Sequence, residues 1–64
     1  MSLKHKIAYW RNKRGLSQRD LADKVGVNPS AIAHYETGHN KPRIETLFKL
    51  AHALDVEVSE LFDP

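Results

Sequence analysis

The stretch Leu16-Ser17-Gln18-Arg19-Asp20-Leu21-Ala22-Asp23-Lys24-Val25-Gly26-Val27-Asn28-Pro29-Ser30-Ala31-Ile32-Ala33-His34-Tyr35-Glu36-Thr37-Gly38 decides how this chain folds. It reads as two short helices joined by a tight turn at Gly26. Ser17 caps the first helix and Asn28 the second, because short polar side chains satisfy the unpartnered N–H groups of a first turn. Asp20 suits the positive end of its helix dipole. Leu21, Ala22 and Val25 face inward, and Leu16 packs from outside the helix in the manner of a staple. Ala22 is small enough to let another helix come close. Gly26 supplies the positive φ that ends a helix within a short turn. Pro29 takes the first helical position after Asn28, where a missing N–H costs nothing. Ile32 and Tyr35, with Ala31 beside them, form the inward face of the second helix. The opposite face carries Ser30, Ala33, His34 and Thr37, small or polar side chains that leave it free to meet a partner.

The flanking sequence supplies further helices. Leu3, Ile7, Trp10 and Arg14 fall at helical spacing, which predicts a helix over Leu3–Lys13 stopped by Gly15. Residues 39–43 form a loop containing Pro42. Leu47, Leu50, Ala51 and Leu54 then recur at i, i+3, i+4 and i+7, with Phe48 at the edge of the stripe. A last short helical turn is expected at residues 59–62, capped by Ser59. No segment alternates with period two. The expected fold is all-α, a compact bundle of five short helices in a single domain over residues 1–64.

Composition narrows the function. A chain of 64 residues has one small core, and domains of this size bury only roughly 60% of their unfolded surface. The absence of cysteine excludes a disulfide staple, a thiolate metal site and a thiol nucleophile. No apolar run approaches the ~20 residues of a spanning helix, and no apolar stretch follows the basic N-terminus as a secretory signal requires. A cytoplasmic protein is expected, without a membrane partner. The histidines (His5, His34, His39, His52) lack the i, i+4 spacing of a helical ligand pair, so no metal and no cofactor are expected. Ser17 has no base or orienting acid at a recognisable spacing, Glu57 and Glu60 sit in an acidic tail, and no Gly-rich phosphate loop is present. An enzyme is not expected.

The net charge of +2 conceals an asymmetry. Lys4, Lys6, Arg11, Lys13, Arg14 and Arg19 precede any acid. Beyond Ile44, Glu45, Asp55, Glu57, Glu60 and Asp63 oppose Lys49 alone. Such a chain suits a basic face for a polyanion and an acidic face turned away from it. An unevenly charged solvated surface is the alternative.

The ordered set Leu16-Ser17-Gln18, Leu21-Ala22, Val25-Gly26-Val27, Ile32, Tyr35-Glu36, Gly38, Lys41-Pro42 and Leu47 through Ala51 to Leu54 resembles the Cro/C1-type (XRE-like) helix-turn-helix family. That family includes the lambda-type phage repressors. The resemblance implies a lambda-repressor-like domain whose second helix of the pair enters the major groove. Position by position, it implies phosphate contacts from Gln18, Asn28, Lys41 and Arg43. It implies base contacts from Pro29, Ser30, Ala33 and His34. Glutamines, which bond adenine bidentately and are frequent there in lambda-type repressors, are absent from these positions. Ser30 discriminates little, Ala33 can only touch a thymine methyl, His34 can bond a purine acceptor or stay solvated, and Pro29 offers no hydrogen bond. Modest direct readout, supplemented by DNA shape and water bridges, is therefore expected.

The resemblance also implies that Arg11 and Glu36 form a partly buried, bidentate pair that sets the angle of the recognition helix. The alternative is a free Arg11 on a phosphate and a solvated Glu36. Trp10 and Tyr35 could stack on bases, but their register assigns them to the core. Val56, Val58, Leu61 and Phe62 either close the core or expose a dimer patch. The implied function is a sequence-specific transcriptional regulator, a repressor that binds a palindromic operator in double-stranded DNA as a homodimer. Two alternatives stay open: an antitoxin that also binds a toxin (or an anti-repressor protein) through the C-terminal patch, and a helical interaction module without DNA binding.

Overall fold

The computed structural model describes the backbone of residues 3–61 and the side chains of residues 6–61. Four α-helices follow one another: α1 (Leu3–Lys13), α2 (Gln18–Val25), α3 (Pro29–Thr37) and α4 (Ile44–Leu54). A 3-10 turn at Val58–Leu61 closes the described chain. The all-α class and the α1 boundaries agree with the sequence reading. The fifth element is this 3-10 turn and not a fifth α-helix. It starts at Val58, so Ser59 lies inside it and does not cap it.

Local chemistry accounts for the α2–α3 turn. Ser17 has an extended backbone, and its hydroxyl accepts from the Asp20 N–H at 2.9 Å. The Asp20 carboxylate accepts from the Ser17 N–H at 3.0 Å. This reciprocal capping box satisfies two N–H groups that α2 cannot pair internally. At the other end, the N–H groups of Gly26 and Val27 converge on the Ala22 carbonyl. Gly26 adopts φ +84°, a conformation that strains any residue with a Cβ. Asn28 occupies the N-cap of α3 as expected, but its side chain makes no capping bond.

The core is a single apolar cluster of Ile7, Leu21, Ala22, Val25, Ile32, Leu47, Leu50, Ala51, Leu54 and Leu61. Every element contributes to it. Trp10 and Tyr35 pack against the cluster half-buried, and the indole Nε1 of Trp10 is itself buried. Both aromatics therefore support the core and are not free to stack on bases. Leu61 is fully buried, while Val56 and Val58 are half-buried against the same cluster. Of the expected dimer patch Val56, Val58, Leu61 and Phe62, Leu61 is corrected to the core. Leu61 closes the core because the 3-10 turn packs against α1 and α4, and Phe62 lies outside the described residues.

One basic residue of the N-terminal run is engaged within the fold. Arg14 donates through Nε to the Leu54 carbonyl at 2.7 Å and through Nη2 to the Asp55 carbonyl at 3.2 Å. Its guanidinium lies 5.1 Å from the Trp10 ring centroid. A basic side chain just past α1 thereby closes the carbonyl end of α4, where a cation suits the dipole.

The capping box yields a test. Ser17→Ala is expected to cost about 1 kcal/mol in urea unfolding. The Ser17 N–H, then its hydroxyl, hold the Asp20 carboxyl below its ordinary value of 3.8. A lowered folded pKa adds stability that is complete above the ordinary value and lost as pH falls through the lowered one. Asp20→Asn is therefore expected to flatten the acid limb of the stability profile below pH 4. An unchanged limb would contradict the capping role.

Candidate nucleic-acid interface

One face of α3 remains unused by the core. Ile32 is buried and Tyr35 half-buried on the inner side, while Pro29, Ser30, His34 and Thr37 are exposed and Ala33 is half-buried. At 100° per residue these five positions form one continuous strip on the outer side of α3. The His34 ring lies 4.8 Å, centroid to centroid, from that of His39. His39 therefore extends the strip beyond the helix, a neighbour that helical periodicity could not reveal because it comes from the following loop.

The strip is flanked by polar side chains. Asn28 is exposed at the head of α3 with no capping bond, so its amide is available. Lys41 and Arg43 are exposed in the loop and at the start of α4, and among the described residues neither makes an ion pair. Arg43 holds the N-cap position of α4 without a side-chain capping bond. Gln18 opens α2 half-buried.

A polar node behind the strip fixes its orientation. Arg11 donates through Nε to Glu36 Oε2 at 2.6 Å and through Nη2 to Glu36 Oε1 at 3.2 Å. Its third donor, Nη1, reaches the Leu16 carbonyl at 2.8 Å. The two side chains retain only 14% and 8% of their exposure. With these contacts made, Arg11 is not free to sit on a phosphate. Gln18 adds a bond that sequence reasoning missed, donating through Nε2 to Glu36 Oε1 at 3.1 Å. One carboxylate on α3 therefore holds α1 through Arg11 and α2 through Gln18. Gln18 Nε2 carries a second N–H, which this bond does not use.

Arg14 was also legible only in part. Spacing put it in register with Leu3, Ile7 and Trp10, but its partners 40 residues away did not follow from spacing.

The helix-turn-helix family profile matches residues 7–61. The chain belongs to the Cro/C1-type (XRE-like) helix-turn-helix family. This family consists of DNA-binding transcriptional regulators and not of enzymes. The chain is 33% identical over 61 residues to the cryptic phage CTXphi transcriptional repressor RstR of Vibrio cholerae. That match covers 95% of this chain and 54% of the relative, so the chain spans about half of its length. The restriction-modification controller protein C.AhdI of Aeromonas hydrophila superposes with a TM-score of 0.91 at 35% identity, covering 94% of this chain and 91% of that one. The biofilm master regulator SinR, solved in complex with DNA, superposes with a TM-score of 0.89 at 34% identity, covering 95% and 98%. Among the described residues, no helix is long and apolar enough to cross a membrane.

The buried pair predicts a large asymmetry between its members and ordinary surface charges. Glu36→Ala leaves the Arg11 guanidinium without its counter-ion and is expected to cost about 3 kcal/mol in chemical denaturation. A loss below about 1 kcal/mol, the range of exposed pairs, would contradict the node.

Proposed function

We propose that this helix-turn-helix protein is a transcriptional repressor that binds a palindromic operator in double-stranded DNA as a homodimer. The exposed strip on α3, flanked by the exposed side chains of Asn28, Lys41 and Arg43, is the observation that carries this reading. α3 enters the major groove. Pro29, Ser30, Ala33 and His34 meet base edges there, and Thr37 continues the same face. Gln18, Asn28, Lys41 and Arg43 hold phosphates on either side. The α2 N–H groups of Gln18 and Arg19, left over by the capping box, point the positive end of the helix at the same phosphate as the Gln18 amide. Two copies place their α3 helices ~34–36 Å apart, one turn of B-DNA. A DNA-bound regulator of this kind works in the cytoplasm and blocks a promoter by occupying it.

Affinity and specificity are separable in this arrangement. Lys41 and Arg43 supply charge without sequence information, whereas the α3 strip offers few directional donors. Sequence preference therefore draws on DNA shape and bridging water as well as on Ser30 and His34.

Duplexes selected from a random pool test this directly. In fluorescence anisotropy, Lys41→Ala and Arg43→Ala are each expected to weaken binding to all duplexes alike and to lower the log–log salt slope by about one. Ser30→Ala and His34→Ala are expected to relax the preference at single positions. Equal affinity for selected and random DNA, or binding that ignores salt, would contradict the proposal.

A further inference from the structure

Two histidines meet at the end of α3. His34 stands in the last turn of the helix, and His39 follows the Gly38 cap. Gly38 adopts φ +82°, which turns the chain back over the helix end. The His34 carbonyl accepts from the Thr37 hydroxyl at 3.2 Å and from the Asn40 N–H at 3.3 Å. These bonds close the segment around His39 onto the last turn. The two exposed rings are held 4.8 Å apart, centroid to centroid, at an angle of 48°.

The charge around these rings is one-sided. From Thr37 to Ile44 the chain has no acid, but it has Lys41 and Arg43, both exposed. Glu36, the carboxylate next to this segment, is turned to Arg11 and Gln18. On the helices packed against α3, Asp20 is engaged in the Ser17 cap and Lys13 lies against Tyr9. Lys6 of α1 and Arg19, Asp23 and Lys24 of α2 are the other charged side chains of those helices. Among the described residues, neither ring pairs with a carboxylate.

We propose that His34 and His39 act as one proton-accepting pair that takes up a proton as the phosphate backbone of the duplex closes on this end of α3, so that DNA affinity rises as pH falls. The proposal rests on the DNA-binding reading above and adds His39 to its contacts. Two charged imidazoles this close repel each other, Lys41 and Arg43 add to that repulsion, and no paired carboxylate offsets it. A DNA phosphate supplies the anion, and the carbonyl end of α3 favours a cation at the same place. Protonation also adds a bond, since an imidazolium has two N–H donors and a neutral ring has one. His34 can then meet a base acceptor with one nitrogen and a phosphate with the other, beside His39. A complex that holds the proton more tightly than the free chain gains affinity as pH falls through the ordinary imidazole range near ~6.5.

Fluorescence anisotropy of the full chain on a selected duplex, at fixed ionic strength from pH 8 to pH 6, tests the histidine pair. For a proton held tenfold more tightly on DNA, affinity is expected to rise about sixfold per bound copy over that range. The log–log salt slope is expected to be steeper at pH 6 than at pH 8. His34→Gln and His39→Gln are each expected at least to halve the pH dependence, because one ring alone lacks the neighbour whose charge it opposes. Melting of the free variants is expected to match wild type, since both rings are exposed. His52→Gln, on the exposed side of α4, is expected to keep the wild-type pH dependence. Salt-dependent binding with equal affinity at pH 6 and pH 8, or a pH dependence that either single variant leaves intact, overturns the pair and leaves the DNA-binding reading standing. Failure to bind the duplex at either pH overturns both.

Discussion

The Arg11–Glu36 pair is the interaction on which the rest of this structure depends. α3 is nine residues long, too short to be stable alone, and only Ile32 of its side chains is fully buried. One apolar anchor holds a helix against a core but leaves its rotation loosely determined. Directional bonds supply what is missing. Glu36 receives two bonds from Arg11 and one from Gln18, and Arg11 also grips the Leu16 carbonyl just before the Ser17 cap. The planar guanidinium matches a carboxylate in only a few geometries, so the pair sets an angle as well as a distance. Taking two charges out of water offsets much of their attraction. The node therefore contributes more to orientation than to stability.

Orientation matters in the proposed complex because the α3 strip offered to base edges is sparse. Pro29, Ser30, Ala33 and His34 offer few hydrogen bonds, and a small rotation of α3 would remove those from base edges. Gln18 links the two roles. Its amide donates one N–H to Glu36 and has another to give, so a phosphate bound there would be coupled through one side chain to the buried pair. In the proposed complex the scaffold presents α3 while Lys41, Arg43 and Asn28 supply adaptable contacts around it.

Much of this was legible before any coordinates. Caps and periodicity placed α1, α2, α3 and α4, because a Ser17 cap, a Gly26 turn and the Leu47, Leu50, Ala51, Leu54 stripe report local physics. Resemblance to the helix-turn-helix family brought Arg11 and Glu36 together. Contacts made by long side chains across the fold were not legible. Arg14 reaching the Leu54 carbonyl, and Gln18 reaching Glu36, depend on how helices cross, which periodicity within one helix does not encode. The burial of Leu61 was hidden for a related reason. Four residues of apolar–polar alternation near a chain end read equally well as core or patch, and only the packing of the 3-10 turn against α1 decides between them. The charge count along the chain was silent in the same way on the intramolecular partners of Arg11 and Arg14.

The central claim, that the node orients α3 and contributes less to holding the domain together, is tested most directly by replacing the pair with apolar side chains of similar volume. Arg11→Met combined with Glu36→Leu removes both charges together, so no buried charge is left unpartnered. Stability in urea is expected to stay within about 1 kcal/mol of wild type, while affinity for a selected operator falls at least about tenfold, a loss of roughly 1.4 kcal/mol. Wild-type affinity in a stable double variant would contradict the account, because it would mean that apolar packing alone sets the angle of α3.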